Sequence, residues 1–281
     1  MQIMLSRVAF SIFGIEIYWY GITASTGVML GVLVAYNLAK KYKSFDPDEI
    51  INIILWTVPF GIVGARLYYV IFQWQNYSQN LLEIVAIRDG GLAFHGGIIL
   101  GVLVGLIYCR LRKLPLWDVF DCFGPALLIG QGFGRWGNFF NQEAHGGPVS
   151  EAFISKFPAI IKNQMLIDGT YYQPTFLYEF LWNMLVLAII LIFWRRLTTK
   201  PGRVFGIYLI SYSIGRFFIE GLRTDSLMLG SFRVAQIVSV GLIILGTLLI
   251  LWRNRQHEAI GVLNIENANS QDNEKVKHEE E

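Results

Sequence analysis

The sequence predicts an all-α integral membrane protein: a bundle of seven transmembrane helices, with the N-terminus outside and the C-terminus in the cytoplasm. Three observations carry that prediction. The first is composition. Of 281 residues, 54% are apolar and only 16% charged, whereas a soluble domain carries about 25% charged residues. The second is the length of the apolar runs. A hydrocarbon core about 30 Å thick needs ~20 residues of helix to cross it, and seven such segments take about half of the chain. A closed barrel would instead show alternating strands of ~10 residues. The third is the placement of basic residues between the runs.

In chain order the spans read as 15–37, 50–72, 91–109, 116–133, 174–194, 204–221 and 232–252. The first lacks a basic start and a small-residue cleavage pattern, so it reads as a span and not as a cleavable signal peptide. The fourth and sixth carry glycines and charges and give the weakest apolar signal. Lys40, Lys41 and Lys43 follow span one; Arg110, Arg112 and Lys113 follow span three; Arg195, Arg196, Lys200 and Arg203 follow span five; Arg253 and Arg255 follow span seven. The opposite side holds Arg7, Arg88, Arg135, Lys156, Lys162, Arg223 and Arg233, spread over longer segments. The positive-inside rule then places the C-terminus in the cytoplasm, and an odd number of spans places the N-terminus outside.

Residues 1–255 form the polytopic domain in this reading. The tail 256–281, with seven acids, two lysines and no aromatic residue, reads as a polar, disordered cytoplasmic end. The longest stretch expected to lack helix is 134–173, on the outer side; a loop of that length is usually functional, and its apolar centre, Phe153 to Ile161, is expected to lie on the membrane surface. Glycines four apart, Gly27/Gly31, Gly97/Gly101/Gly105 and Gly130/Gly134, fit close helix packing. The net charge of +2 gives no field that would select nucleic acid. Cys109 and Cys122 read as small buried hydrophobes, and no His/Cys cluster at zinc spacing appears.

Ionisable groups inside spans are expensive and usually functional. This chain has Arg66, His95, Asp118, Asp121, Glu179, Arg216 and Glu220 in that position. Arg216 and Glu220 are four apart on one helix face and can pair, either to lock the bundle or to hold Arg216 for an anionic ligand. Tyr212 lies one turn before Arg216. His95 sits among Gly90, Gly91, Gly96 and Gly97, which leave backbone accessible to a lipid headgroup or a peptide. The densest signal is Gly134-Arg135-Trp136-Gly137-Asn138-Phe139-Phe140-Asn141-Gln142-Glu143-Ala144-His145-Gly146. A guanidinium fork matches phosphate oxygens, and the amides beside it add donors. Snorkelling toward water would account for Arg135 alone but not for the polar groups behind it.

Phe94-His95-Gly96-Gly97, followed by Gly134-Arg135-x-Gly137-Asn138-Phe139-x-Asn141-x-Glu143-x-x-Gly146, resembles the bacterial prolipoprotein diacylglyceryl transferases. Trp19-Tyr20-Gly21 and Arg216-x-x-x-Glu220 with Arg223 extend the resemblance over about residues 15–252. One departure is that some members carry a His before Tyr178-Glu179, where this chain has Gln173-Pro174. The resemblance implies a transferase of the bacterial cytoplasmic membrane with its site toward the outer face. Phosphatidylglycerol would supply a diacylglyceryl group to the lipobox cysteine of a prolipoprotein that still bears its signal peptide. A thioether would form and glycerol phosphate would leave, with no metal or cofactor. Carried onto this sequence, the catalytic set is His95, Arg135, Arg216 and Glu220, with His95 or water taking the thiol proton. The phosphatidylglycerol-binding set is Arg135, Asn138, Asn141, Glu143, Gly146, Tyr20, Tyr212 and Arg223.

A small-molecule or ion transporter would also use intramembrane charges, but spread through the membrane depth and on broken helices. Here Tyr20, His95, Arg135 and Glu143 gather toward one boundary. A non-catalytic scaffold would have no need of the cluster.

Overall fold

The computed structural model describes residues 5–42, 44–78, 80–86 and 90–256. The expected tail therefore lies, after Gln256, outside the described residues. Among the described residues there are seven long helices: α1 (Trp19–Tyr42), α2 (Asp48–Phe72), α3 (Phe94–Leu111), α4 (Leu116–Asn141), α5 (Thr175–Ile192), α6 (Arg203–Leu222) and α7 (Val234–Gln256). Of these, α1, α2, α5 and α7 are long and apolar enough to cross a membrane by length and composition; α3 is apolar but shorter. The polar groups of α4 and α6 take those helices out of that class. Leu55, Ile62, Ile99, Leu185 and Leu248 are half or nearly half exposed, as expected for side chains that meet lipid and not water.

The chain divides into two compact units. One comprises Met1–Gly31 and Phe123–Glu281, and the other Val32–Cys122. In the second unit α2 and α3 pack through glycine: Gly64 and Gly96 face each other so closely that a Cβ on either would collide with the other's carbonyl, and Gly97 packs near the Gly61 carbonyl. Arg66, expected among the functional ionisable groups, is a structural clamp here. It donates to the carbonyls of Glu83 (2.5 Å), Ile84 (2.8 Å), Gly90 (2.8 Å) and Gly91 (3.0 Å), which answers the cost of burying a guanidinium. Glu49 accepts from Tyr108 and Arg112 at the other end of the pair. Cys109 and Cys122 are both buried and free.

The first unit holds two departures from expectation. Residues 15–18, expected in span one, form strand β2 (Ile15–Tyr18), paired with β1 (Val8–Ile12). Phe13 (φ 50°) and Gly14 (φ 80°) make the tight turn between them, the two-residue geometry that matches strand twist. The second departure is larger. Helix α4 runs eight residues past its expected end at 133, so Gly134 to Asn141 are helix and not loop. The apolar side chains Trp136, Phe139 and Phe140 recur at helical spacing: Trp136 packs with Phe176 and Phe180, Phe139 with Phe176, and Phe140 with Phe139 and Trp19. The glycines there are contact points: Gly137 lies under the Tyr20 ring and Gly132 beside Phe180 and Met184. Gly27 and Gly31 likewise lie against Gly130 and Ala126, whereas a Cβ added at Gly134 would meet nothing within 4 Å among the described residues.

The segment 142–173 is compact. Two short helices (Glu151–Ile154 and Ala159–Gln164) accompany a sheet of order β3-β5-β4: β3 (Pro148–Val149), β4 (Leu166–Ile167) and β5 (Thr170–Tyr172). Asp168 and Gly169, both at positive φ, turn the β4–β5 hairpin. Ile154, Ile161 and Met165 bury themselves against Phe139 and Phe176, so part of the apolar centre from Phe153 to Ile161, expected on the membrane surface, makes a small core, while Ile160 stays 55% exposed. Gln164 is 1% exposed and ties the N-terminus to it, accepting from Leu5 N (2.9 Å) and donating to Leu5 and Phe140 carbonyls. A last hairpin, β6 (Met228–Leu229) and β7 (Phe232–Arg233), leads into α7.

Candidate functional site

The site is built where the loop-facing ends of α4, α5 and α6 meet. Helix α4 ends in a Schellman arrangement. Gln142 takes the left-handed conformation (φ 56°), its N–H bonds to Phe139 O, and Glu143 N–H bonds back to Asn138 O (3.0 Å). That reversal folds Glu143 over the last helical turn, where its Oε1 accepts from Asn138 Nδ2 (3.0 Å) and Asn141 Nδ2 (3.2 Å). Asn138 Oδ1 accepts in turn from Arg135 Nη1 (3.1 Å). The signature residues are thus one hydrogen-bonded chain on one helix end.

Glu179 on α5 is the hub. Its Oε1 lies 2.9 Å from Arg135 Nε and its Oε2 3.0 Å from Arg216 Nη1, so one carboxylate holds both guanidinium groups. The Arg135 contact is a charge contact without hydrogen-bond alignment. Arg216 Nη2 also reaches Glu220 Oε2 at 2.7 Å, the pair expected one turn apart, and Arg223 stands 3.9 Å from the same oxygen. Tyr212, one turn before Arg216, lies close to Arg135. Glu179 and Glu220 are each 2% exposed. Buried carboxylates with cation partners are tolerated where an isolated one would not be, and each guanidinium has five N–H donors, more than these partners use.

Arg223, at the C-terminal end of α6, forms a bidentate pair with Asp225 (3.0 and 2.8 Å). Burial raises the Asp225 carboxyl, but its bonds to Arg223 outweigh that and hold it below the usual carboxylate range. Arg233 donates to the Glu220 carbonyl, to the Arg223 carbonyl (2.8 Å) and to Ser226 Oγ (3.0 Å). Gly146 bridges to Arg223 and donates to the Gln173 carbonyl. A Cβ at Gly146 would collide with Gln173 and Thr175, which makes its role one of close backbone approach.

One unit therefore gathers Tyr20, Arg135, Asn138, Asn141, Glu143, Gly146, Tyr212, Arg216, Glu220 and Arg223. His95 belongs to the other unit. It is exposed in the first turn of α3, with its ring 6.3 Å from that of Tyr68. Gly90 (φ 88°) and Gly91 (φ 72°) shape the connection before it, under the Arg66 clamp. Sequence reasoning assigned no role to Glu179 or Arg233. Glu179 was visible as a lone acid in an apolar span, but its partner Arg216 is 37 residues away, a pairing that helical spacing cannot reveal.

The family model of the prolipoprotein diacylglyceryl transferases matches residues 7–252. The chain belongs to that family. It is 52% identical over 255 residues to the phosphatidylglycerol–prolipoprotein diacylglyceryl transferase of Clostridium novyi (strain NT), covering 91% of this chain and 98% of that one. It is 53% identical over 247 residues to the enzyme of the same name from Clostridium botulinum (strain Langeland / NCTC 10281 / Type F), covering 88% and 96%. The one from Clostridium kluyveri (strain ATCC 8527 / DSM 555 / NBRC 12016 / NCIMB 10680 / K1) is 51% identical over 241 residues, covering 85% and 94%. The match to the family model takes in all seven long helices but the end of α7, and so every site residue described above.

Proposed function

We propose that this membrane protein transfers the diacylglyceryl group of phosphatidylglycerol to the lipobox cysteine of a prolipoprotein, the first step of lipoprotein maturation. Family membership supports the activity. The observation that carries the assignment of residues is the pair of guanidiniums, Arg135 and Arg216, braced by one buried carboxylate, Glu179.

The reaction forms a bond from the cysteine sulfur to the terminal glyceryl carbon and breaks that carbon's bond to the phosphate oxygen. Glycerol phosphate leaves with the electron pair of the broken bond. Negative charge grows on the departing phosphate ester, and donors fixed in advance stabilise it without reorganising. Arg135 and Arg216 supply those donors. Glu179 and Glu220 hold them in place, and Asn138, Asn141 and Glu143 fix the α4 end around Arg135. Tyr20, Tyr212, Gly146 and Arg223 complete the headgroup site. The nucleophile is a thiolate, whose unperturbed pKa is about 8.5. His95, whose imidazole nitrogen can take a proton as a general base, is the acceptor for the thiol proton. The reacting sulfur belongs to the substrate, so neither Cys109 nor Cys122 takes part.

All seven long helices span the cytoplasmic membrane in this reading, with the N-terminus and the site toward the outer face and the C-terminus inside. Residues 1–255 form the transferase domain. The test is purified protein in detergent with phosphatidylglycerol and a lipobox peptide. A peptide mass gain of one diacylglyceryl group is expected, and none for a peptide with serine in place of cysteine. Absence of any gain with the cysteine peptide would overturn the assignment.

A further inference from the structure

One helical turn beyond the ion cluster, away from the loop end, each of the three helices carries an uncharged polar side chain. Gln131 on α4 lies four residues before Arg135; Asn183 on α5 lies four after Glu179; Ser213 on α6 lies three before Arg216. Helical spacing of three or four places each on the face of its charged neighbour. Asn183 and Ser213 are both 0% exposed. Asn183 Nδ2, Asn183 Oδ1, Ser213 Oγ and Gln131 Oε1 have no hydrogen-bond partner among the described residues. Among the described residues, the Gln131 Nε2 bond to the Tyr208 hydroxyl (2.9 Å) is the one side-chain bond of the layer. Turning the Gln131 amide over lets that hydroxyl donate to Oε1 and frees Nε2 as a donor.

Orphaned buried polar groups each cost about 1–3 kcal/mol, and native proteins rarely leave several at one level. Helix packing alone would be served better by apolar residues here, as Phe180 and Met184 serve it beside Gly132. The free donors of the layer, Asn183 Nδ2, Ser213 Oγ and the turned Gln131 Nε2, suit a ligand made of acceptors. Four residues of helix rise about 6 Å, comparable to the step from the phosphate of a glycerophospholipid to its ester carbonyls.

We infer that the Gln131–Asn183–Ser213 layer binds the ester carbonyl oxygens of the phospholipid whose phosphate sits at Arg135 and Arg216. This rests on the donor lipid proposed above and adds the recognition of its ester linkages. The layer would then distinguish diester from diether glycerophospholipids, which share headgroup, charge and chain length but not the carbonyl acceptors.

The experiment compares peptide lipidation from dioleoyl phosphatidylglycerol with that from its diether analogue, in detergent micelles, for the wild type, Asn183→Leu and Ser213→Ala. Transfer from the diester lipid by the wild type establishes the parent reading independently. Given that transfer, the wild type should show a KM about three- to tenfold higher for the diether lipid, the range expected for one or two lost hydrogen bonds. Asn183→Leu should raise the KM for the diester and leave the diether KM unchanged, so that the preference disappears, while kcat stays within about twofold. Ser213→Ala, the milder change, should narrow the preference without altering the melting temperature. Equal KM values for the two lipids in the wild type, or an undiminished preference in Ser213→Ala and in folded Asn183→Leu, would overturn the inference and leave a water-filled or purely structural layer.

Discussion

Arg135 and Arg216 share the Glu179 carboxylate, so geometry at one is tied to geometry at the other. A guanidinium can hold Glu179, Asn138 and a phosphate oxygen from one plane; an ammonium on a flexible stem cannot. Arg135→Lys should therefore leave protein abundance near normal and lower turnover by roughly 10²–10³, about 3–4 kcal/mol of transition-state stabilisation. Peptide lipidation at saturating phosphatidylglycerol measures it, and near-normal turnover in the lysine variant would reduce Arg135 to a membrane-boundary anchor. His95 gives a second residue-scale prediction. His95→Gln should keep the fold and slow transfer severely near neutral pH, because Gln cannot accept the thiol proton. Raising the pH toward the thiol's own pKa should recover part of the rate; equal rates at every pH would remove His95 from the chemistry. The sequence made most of these residues legible because a charge in an apolar run is conspicuous. It hid Glu179 as the hub and Arg66 as a clamp, since both roles are set by contacts across helices and connections and not by spacing along one helix.

At the scale of elements, the decisive feature is the end of α4. Its glycines and polar side chains read as a loop, and propensity alone supports that reading. Packing overrides it: Trp136 and Phe139 find Phe176, and Gly137 admits the Tyr20 ring. The helix then stops at Gln142, a non-glycine residue in the left-handed conformation. Such a position usually favours glycine by about 1 kcal/mol. Gln142→Gly should keep activity and raise the melting temperature by a few degrees or leave it unchanged, provided the Gln142 side-chain bond to the Gln164 carbonyl (2.7 Å) adds little; a large drop, read by thermal unfolding in detergent, would show that this bond and not the backbone turn holds the helix end. The three hairpins missed by the apolar reading had local signals, Phe13-Gly14, Asp168-Gly169 and Gly230-Ser231, each a two-residue turn with at least one positive φ. Continuous apolar character around them masked the alternation that marks a strand.

For the whole molecule, the apolar composition and basic loops predicted a membrane bundle, and six of the seven long helices begin and end within a few residues of an expected segment, while α4 runs eight residues past its own. Among the described residues four helices are long and apolar enough to cross by length and composition alone; α3 is apolar but shorter, and α4 and α6 carry more polar groups. The proposed topology makes a direct prediction. A reporter fused after Glu281 should report from the cytoplasm and one inserted near Lys162 from outside. Signals from the same side would contradict seven crossings.

The central claim is that the bond broken lies between the glyceryl carbon and the phosphate oxygen, with the two arginines stabilising the departing phosphate. Phosphatidylglycerol carrying ¹³C only in the glycerol that bears the acyl chains tests it in one mass-spectrometric measurement on the lipobox peptide and the released small molecule. The account predicts that all of the label joins the peptide through a thioether stable to hydroxylamine, with both acyl chains attached, and that the glycerol phosphate released is unlabelled. An acyl thioester without label on the peptide, or label in the released glycerol phosphate, would contradict it.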